Sequence, residues 1–176
     1  MARLWKKGRG KLGPFAPLHG TWLAEAESPR GPVRCYRAIA PVLAGRYLQL
    51  DVRWEFGPPG AGASYEERAL IGVGADGDVC FWSFTSDGKH SAGVLGDVSD
   101  LHPEAIGFEA EMPAGRARMA YWPAPDGGFH WVVESKSKAG WTRFVEHRYR
   151  PASPPERNTA ERVFAADMAA QRSSRE

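Results

Sequence analysis

Residues 47–56 read Tyr47-Leu48-Gln49-Leu50-Asp51-Val52-Arg53-Trp54-Glu55-Phe56. Leu48, Leu50, Val52, Trp54 and Phe56 alternate with Tyr47, Gln49, Asp51, Arg53 and Glu55, so one face is apolar and the other polar along the whole stretch. A period of two puts successive side chains on opposite faces of a strand, and this strand has a core side and a solvent side.

Outward from it, segments of the same kind follow one another between clusters of Gly, Pro, Asp and Ser. They are His19–Ala26, Pro32–Ala40, Arg46–Phe56, Ser64–Val73 and Asp78–Ser86, then Lys89–Asp97, Glu104–Met112, Gly115–Pro123, Gly128–Ser137 and Trp141–Arg150. That is ten candidate strands. No helical period interrupts them between 19 and 150, which excludes a βαβ sheet. Short strands in an unbroken meander predict an all-β fold, an up-and-down antiparallel barrel rather than a sandwich. The 20 Gly, 14 Pro and 7 Trp among 176 residues suit tight turns and broad inward side chains better than a helical bundle.

Two turns set registers. Asp76-Gly77 and Asp87-Gly88 are dipeptides of two-residue type I′ hairpins. So read, they place Ile71 opposite Trp82 and Val73 opposite Cys80, then Trp82 opposite Gly93 and Cys80 opposite Leu95. Cys80, Trp82 and Phe84 then face inward, and His90 faces out. In the last hairpin, a three-residue loop Lys138-Ala139-Gly140 sets Trp131 opposite His147, Phe129 opposite Tyr149 and Arg143 opposite Ser135. Phe129, Trp131 and Val133 then face inward with Trp141, Val145 and Tyr149, while His130 points out with Glu134.

Charge is unevenly spread over the net +2. Arg3, Lys6, Lys7, Arg9 and Lys11 make a basic flexible leader over residues 1–14, read as a solvated arm. No aromatic–basic repeat accompanies it, so no nucleic acid is expected as a partner. No apolar run reaches the ~18 residues of a membrane span, and no secretory signal follows Met1. Cys35 and Cys80 stand in unrelated segments, which disfavours a disulfide framework or a thiolate metal site; reduced thiols indicate a cytoplasmic protein of bacterial type. Residues 152–176 form a linker and helical tail. Asn158-Thr159-Ala160-Glu161 has capping-box spacing, and Ala160, Phe164 and Met168 form a stripe to about Gln171. That helix docks on the barrel wall or on a second subunit, the latter making a homodimer, or frays.

Site candidates come from the inward face. His147 is an interior histidine without a second ligand: His19, His90, His102 and His130 lie at element ends or point outward, so no metal site is expected. The ligand-binding set is Trp82, Phe84, Met119, Tyr121, Trp131, His147 and Tyr149, aromatics for dispersion and a polar trio for orientation around a small apolar molecule. No Gly-x-Ser-x-Gly elbow occurs, Gly57-Pro58-Pro59-Gly60-Ala61-Gly62 lacks the lysine of a phosphate loop, and Asp97 to Glu111 lacks calcium-loop spacing. An isomerase or cyclase using His147 with Tyr149 or Tyr121 is an alternative, as is a filled barrel acting as an interaction module.

Gly20-Thr21-Trp22 at the opening of the first strand resembles the Gly-x-Trp signature of lipocalin-type calycins. With Leu43-Ala44-Gly45-Arg46-Tyr47-Leu48, Leu70-Ile71-Gly72-Val73 and the terminal Tyr149-Arg150, residues 15–151 are similar to a bacterial family of uncharacterised lipocalin-like barrels. The resemblance implies that Gly20 and Trp22 plug one end of the barrel. Fatty-acid-binding proteins differ in carrying a helical lid after the first strand and an Arg-x-Tyr where this chain has His147-x-Tyr149. Nitrobindins, which hold haem through a histidine near the C-terminus, open Gly-x-Trp-x-Gly-x-Gly; Ala24 and Ala26 stand where the later glycines belong. No cofactor is therefore the first expectation, with haem on His147 the alternative.

Overall fold

A computed structural model describes residues 5–28, 31–58 and 63–173, apart from the side chains of Ser28 and residues 166–173. Its strands are β1 (Gly20–Ser28), β2 (Gly31–Val42), β3 (Tyr47–Phe56), β4 (Ser64–Val73), β5 (Val79–Thr85), β6 (His90–Gly96), β7 (Ile106–Met112), β8 (Gly115–Pro123), β9 (Phe129–Ser137) and β10 (Gly140–Pro151). Each pairs antiparallel with the next, and β10 returns to β1, so the sheet is a closed up-and-down barrel. One helix, α1 (Pro154–Ser173), follows. All ten expected strands are present. Among the described residues no helix is long and apolar enough to cross a membrane.

The alternation in β3 sets the interior. Leu48 pairs with Ile71, Leu50 with Ala69, Val52 with Glu67 and Trp54 with Tyr65. On the other edge Leu50 meets Ile39, Val52 meets Arg37 and Trp54 meets Cys35.

The type I′ reading of two hairpins is corrected. Asp76 and Asp87 keep negative φ, and the positive-φ residues there are Gly77 and Gly88. Thr85 N–H donates to Lys89 O at 3.0 Å and Gly88 N–H to Thr85 O at 2.9 Å, closing a three-residue loop Ser86-Asp87-Gly88. Gly74 and Asp78 close the same loop around Ala75-Asp76-Gly77, and Ala124 and Gly128 around Pro125-Asp126-Gly127. This is a type I turn followed by a left-handed glycine, which asks positive φ of one residue instead of two. The extra residue slips the register by one and turns every side chain to the other face. Ile71 thus pairs with Phe81, Val73 with Val79 and Gly93 with Phe81. Cys80, Trp82 and Phe84 face outward.

The last hairpin errs in the opposite sense. Its loop is two residues, Lys138-Ala139, with Gly140 opposite Ser137 and Arg143 opposite Glu134 rather than Ser135. A bulge at Phe144 then restores the expected pairing, Val145 with Val133, His147 with Trp131 and Tyr149 with Phe129. Before the bulge the parity is reversed, so Trp141 lies outside, with the Arg118 guanidinium 4.4 Å from its ring.

One end of the barrel, here the lower, is closed. The 3₁₀ helix Gly13–Leu18 lays Phe15 and Leu18 across it, both fully buried. Phe15 stacks on Phe108 at 5.4 Å. Trp22 rests edge-on against Phe129 at 4.8 Å and donates from Nε1 to Leu18 O at 2.7 Å. Gly20, at φ 126°, makes the turn into β1 in a conformation that L side chains rarely adopt. Of the basic leader, Trp5 and Leu12 pack against this core, and Lys11 Nζ donates to Gly77 O.

Helix α1 begins five residues before the expected start. Ser153 is its N-cap: Arg157 N–H donates to Ser153 O at 2.9 Å, and Ser153 N–H donates to Glu156 Oε2 at 2.7 Å. Ser153-Pro154-Pro155-Glu156 is thus the working capping box, with proline at the first helical position, where no N–H is needed. Ala160 and Phe164 dock on Leu23 and Tyr36 of the outer wall; the Met168 side chain lies outside the described residues.

Candidate functional site

The inward side chains change size along the barrel axis. Below are Phe15, Trp22, Ile39, Leu50, Ile71, Phe108 and Phe129. Towards the upper end the wall has Ser83, Gly93, Ala110 and Ala117 instead, and a cavity of about 390 Å³ opens among Trp54, Phe81, Met119, Trp131, Val133 and Val145. Its polar lining includes Tyr65, Glu67 and Ser83; the Ser83 hydroxyl donates to Glu67 Oε1 at 2.6 Å. This volume lies in the range of small-molecule pockets, and a mostly apolar lining with few polar groups is their usual composition.

The wall is incompletely laddered there. β6 and β7 pair over Val94–Glu109, Leu95–Phe108 and Gly96–Gly107. Above that zip, Ala92 and Gly93 line the cavity beside Ala110. β1 and β10 pair over Trp22–Pro151 and Leu23–Arg150, with Ala152 N–H adding a bond to Thr21 O at 2.9 Å.

One layer beneath the cavity lies Arg37, fully buried. Its Nη1 donates to the Tyr121 hydroxyl at 2.9 Å. Its guanidinium carbon is 4.2 Å from the Trp131 ring centre, 4.9 Å from Tyr149 and 5.6 Å from Tyr121. Nε and Nη2 are buried without a hydrogen-bond partner. A guanidinium keeps its charge at any physiological pH, and taking it out of water costs roughly several kcal/mol, which aromatic faces offset only in part.

The phenols, the thiol and the imidazole around Arg37 are held neutral. Burial pushes the Tyr121 and Tyr149 phenols upward. Tyr149 donates to Cys35 Sγ at 2.9 Å, and burial pushes that thiol up to about 12. His147 stands edge-on to Trp54 at 4.9 Å, with Trp131 6.2 Å and Tyr149 6.4 Å away. Burial, and then the Arg37 charge, lower its pKa, so the imidazole is neutral at pH 7.

Of the residues named from sequence, Met119 and Trp131 line the cavity. Tyr121, Tyr149 and His147 lie in the aromatic layer around Arg37. Trp82 and Phe84 do not join them: both are outside, Phe84 61% exposed and Trp82 beside Tyr47 at 6.4 Å. Sequence reading overlooked Arg37, Glu67 and Phe81. Parity already puts Arg37 on the face of Val33, Cys35 and Ile39, so a charge on an apolar stripe was the available signal.

Haem does not fit this arrangement. His147 is packed among Trp54, Trp131 and Tyr149, so its ring is not presented to the cavity as an axial ligand. Ala24 and Ala26, on the inward face of β1, add methyls where a flat macrocycle needs close backbone approach. Among the described residues no three His, Cys, Asp or Glu side chains come together to hold a metal ion.

No family model and no curated protein matches the chain. Among solved structures, it is similar to a de novo designed fluorescence-activating β-barrel, at a TM-score of 0.40 and 19% identity over 64% of this chain and 95% of that chain.

Proposed function

We propose that the chain is a binding protein that holds one small, predominantly apolar or aromatic molecule in the upper cavity. The observation that carries this reading is the contrast between a plugged lower end and a 390 Å³ apolar space at the upper end. A barrel serving only as scaffold gains from filling its lumen throughout, since dispersion contacts and burial reward every packed atom. Here Trp54, Trp131, Phe81 and Met119 supply flat and adaptable apolar contact. Glu67 and Ser83 supply the orienting polar groups, and His147, Tyr121 and Tyr149 stiffen the floor.

Native mass spectrometry of the purified chain tests the reading first, with an adduct released on denaturation as the expected result. A titration of 2-naphthylmethanol, followed by quenching of tryptophan fluorescence, tests it with a known probe. Saturable quenching is expected in the parent and a loss of at least about tenfold in affinity in Val133→Trp, which fills the cavity. Absence of any adduct together with linear, unsaturated quenching, or undiminished binding by Val133→Trp, overturns it.

A further inference from the structure

The geometry points to an oxyanion on the ligand: the cavity selects a flat apolar molecule that ends in a carboxylate, received by Arg37. The inference rests on the reading that the cavity holds a ligand and adds the charge of its head group.

The argument begins with which guanidinium edge is open. Nη1 is used by the Tyr121 hydroxyl at 2.9 Å. Nε and Nη2 lack a partner, and both are buried. These two nitrogens form the side-on fork of arginine, whose parallel N–H bonds match the two oxygens of a carboxylate. Tyr121 holds the guanidinium from its other edge, and Trp131 lies over its face at 4.2 Å, so the fork is oriented before anything binds.

Among the described residues no carboxylate is hydrogen-bonded to Arg37; Glu67, across Val52 on the same inward face, attracts it only through space. Glu67 is the acidic side chain that lines the cavity, and its Oε1 is engaged by Ser83 at 2.6 Å. The other buried cation among the described residues differs. Arg118 is also nearly sealed, on the outer wall, yet meets Glu134 at 2.7 Å and Asp100 at 2.7 and 2.8 Å. The protein compensates Arg118 with two directly bonded carboxylates and Arg37 with an aromatic layer, a phenol and the more distant charge of Glu67. A buried cation whose fork has no carboxylate hydrogen-bonded to it, beneath an apolar cup, is the electrostatic complement of an amphipathic anion.

Trp131 joins the two compartments, since it lines the cavity and covers the guanidinium. Both open nitrogens are sealed, so the carboxylate seats by moving that indole aside, and a tryptophan signal accompanies binding.

The test compares 2-naphthoate with 2-naphthylmethanol, which share a ring system and differ in charge, on the parent and on Arg37→Met and Arg37→Lys. The parent is expected to prefer the carboxylate by at least about tenfold, a ratio that falls to about one in Arg37→Met. Arg37→Lys, which keeps the charge but not the fork, is expected to retain only part of the preference. If the alcohol binds and the carboxylate binds no better, the cup stands and the oxyanion inference falls. If the preference persists in Arg37→Met, it also falls; should that variant not fold, a full parental ratio in Arg37→Lys removes the fork from the argument. If neither probe binds the parent and native mass spectrometry finds no adduct, the cup itself is refuted, and this inference with it; if neither probe binds but an adduct is found, an adduct without an acidic group overturns this inference alone.

Discussion

The two ends of this barrel solve opposite problems with the same strands. Below, Phe15, Leu18, Trp22 and Phe129 interlock, and the ladders β1–β10 and β6–β7 are zipped. Above, inward positions are small, Ala92, Gly93 and Ala110 line the space where the β6–β7 pairing has ended, and polar side chains reach into it. Packing density and complete pairing make the lower end the source of cohesion. The upper end gives up both, and what it gains is room. Stability and capacity are thus segregated along the axis, and mutations at equivalent aromatic residues separate them.

The largest effect is expected from the tryptophan at each end. Trp22→Ala removes a ring 1% exposed, its contact with Phe129 and its bond to Leu18 O. It should cost about 3–5 kcal/mol in urea unfolding. Trp54→Ala, at a ring that borders the cavity, should cost roughly half of that or less, because fewer atoms surround it. Equal losses would mean that the upper end is as tightly packed as the lower, and the division of labour would be wrong.

A smaller effect sharpens where the zip ends. Arg150 closes the β1–β10 ladder and is held by Glu156 of α1 at 2.8 Å on both nitrogens and by Glu25 at 3.2 Å. The Arg150 hydrogen bonds, then that from Ser153 N–H, outweigh burial and hold Glu156 down at about 2, against an ordinary 4.5. A carboxylate depressed in the folded state stabilises fully above its unfolded value and loses that contribution as protons bind. The attachment of α1 is therefore complete above pH 4.5 and weakens as pH falls from there towards 2. Screening at a half-exposed Arg150 leaves roughly 1 kcal/mol at stake. Amide exchange should show α1 and β1 opening in that window while β3 and β4 stay protected, and Glu156→Gln should remove the pH dependence. Simultaneous opening of all four elements would deny the helix a local role.

How much of this was legible in the sequence depends on how many residues each inference needed. Strand existence needs only period two over a few residues, and β3 through β10 carry it plainly. Face assignment needs loop length to the residue, and Asp-Gly occurs in both the two-residue and the three-residue loop; a single backbone angle at Asp76 or Asp87 decides between them. The reading of the last hairpin survived because two departures, a shorter loop and the bulge at Phe144, cancel beyond Val145. Helix α1 was displaced because Ser153-x-x-Glu156 was hidden by two prolines, although proline suits that first turn. Arg37 was legible by parity and passed over because charge is expected outside. The cavity itself has no local signature. It arises from small residues on β5, β6, β7 and β8 that meet only once the sheet has closed.

The smallest predicted effect tests the register on which the inward set depends. Phe84 pairs with His90 on the outer wall, their rings 6.3 Å apart, while its inward neighbour three positions earlier, Phe81, is 5% exposed and stacks towards Phe108. With three residues in the Ser86-Asp87-Gly88 loop, Phe84→Ser exchanges an exposed ring for a hydroxyl in water. It should change stability by no more than about 0.5 kcal/mol and naphthylmethanol affinity by no more than about twofold. With two residues in that loop, Phe84 would stand inside the cup, and the same substitution would place a polar group among Trp54, Met119 and Trp131, weakening both measurements together. Because the two registers differ by one residue but invert a whole strand, a near-silent Phe84→Ser beside a strongly destabilised Phe81→Ser is the sharper evidence. It fixes the inner face of β5, and with it the side from which a ligand meets Ser83 and Glu67.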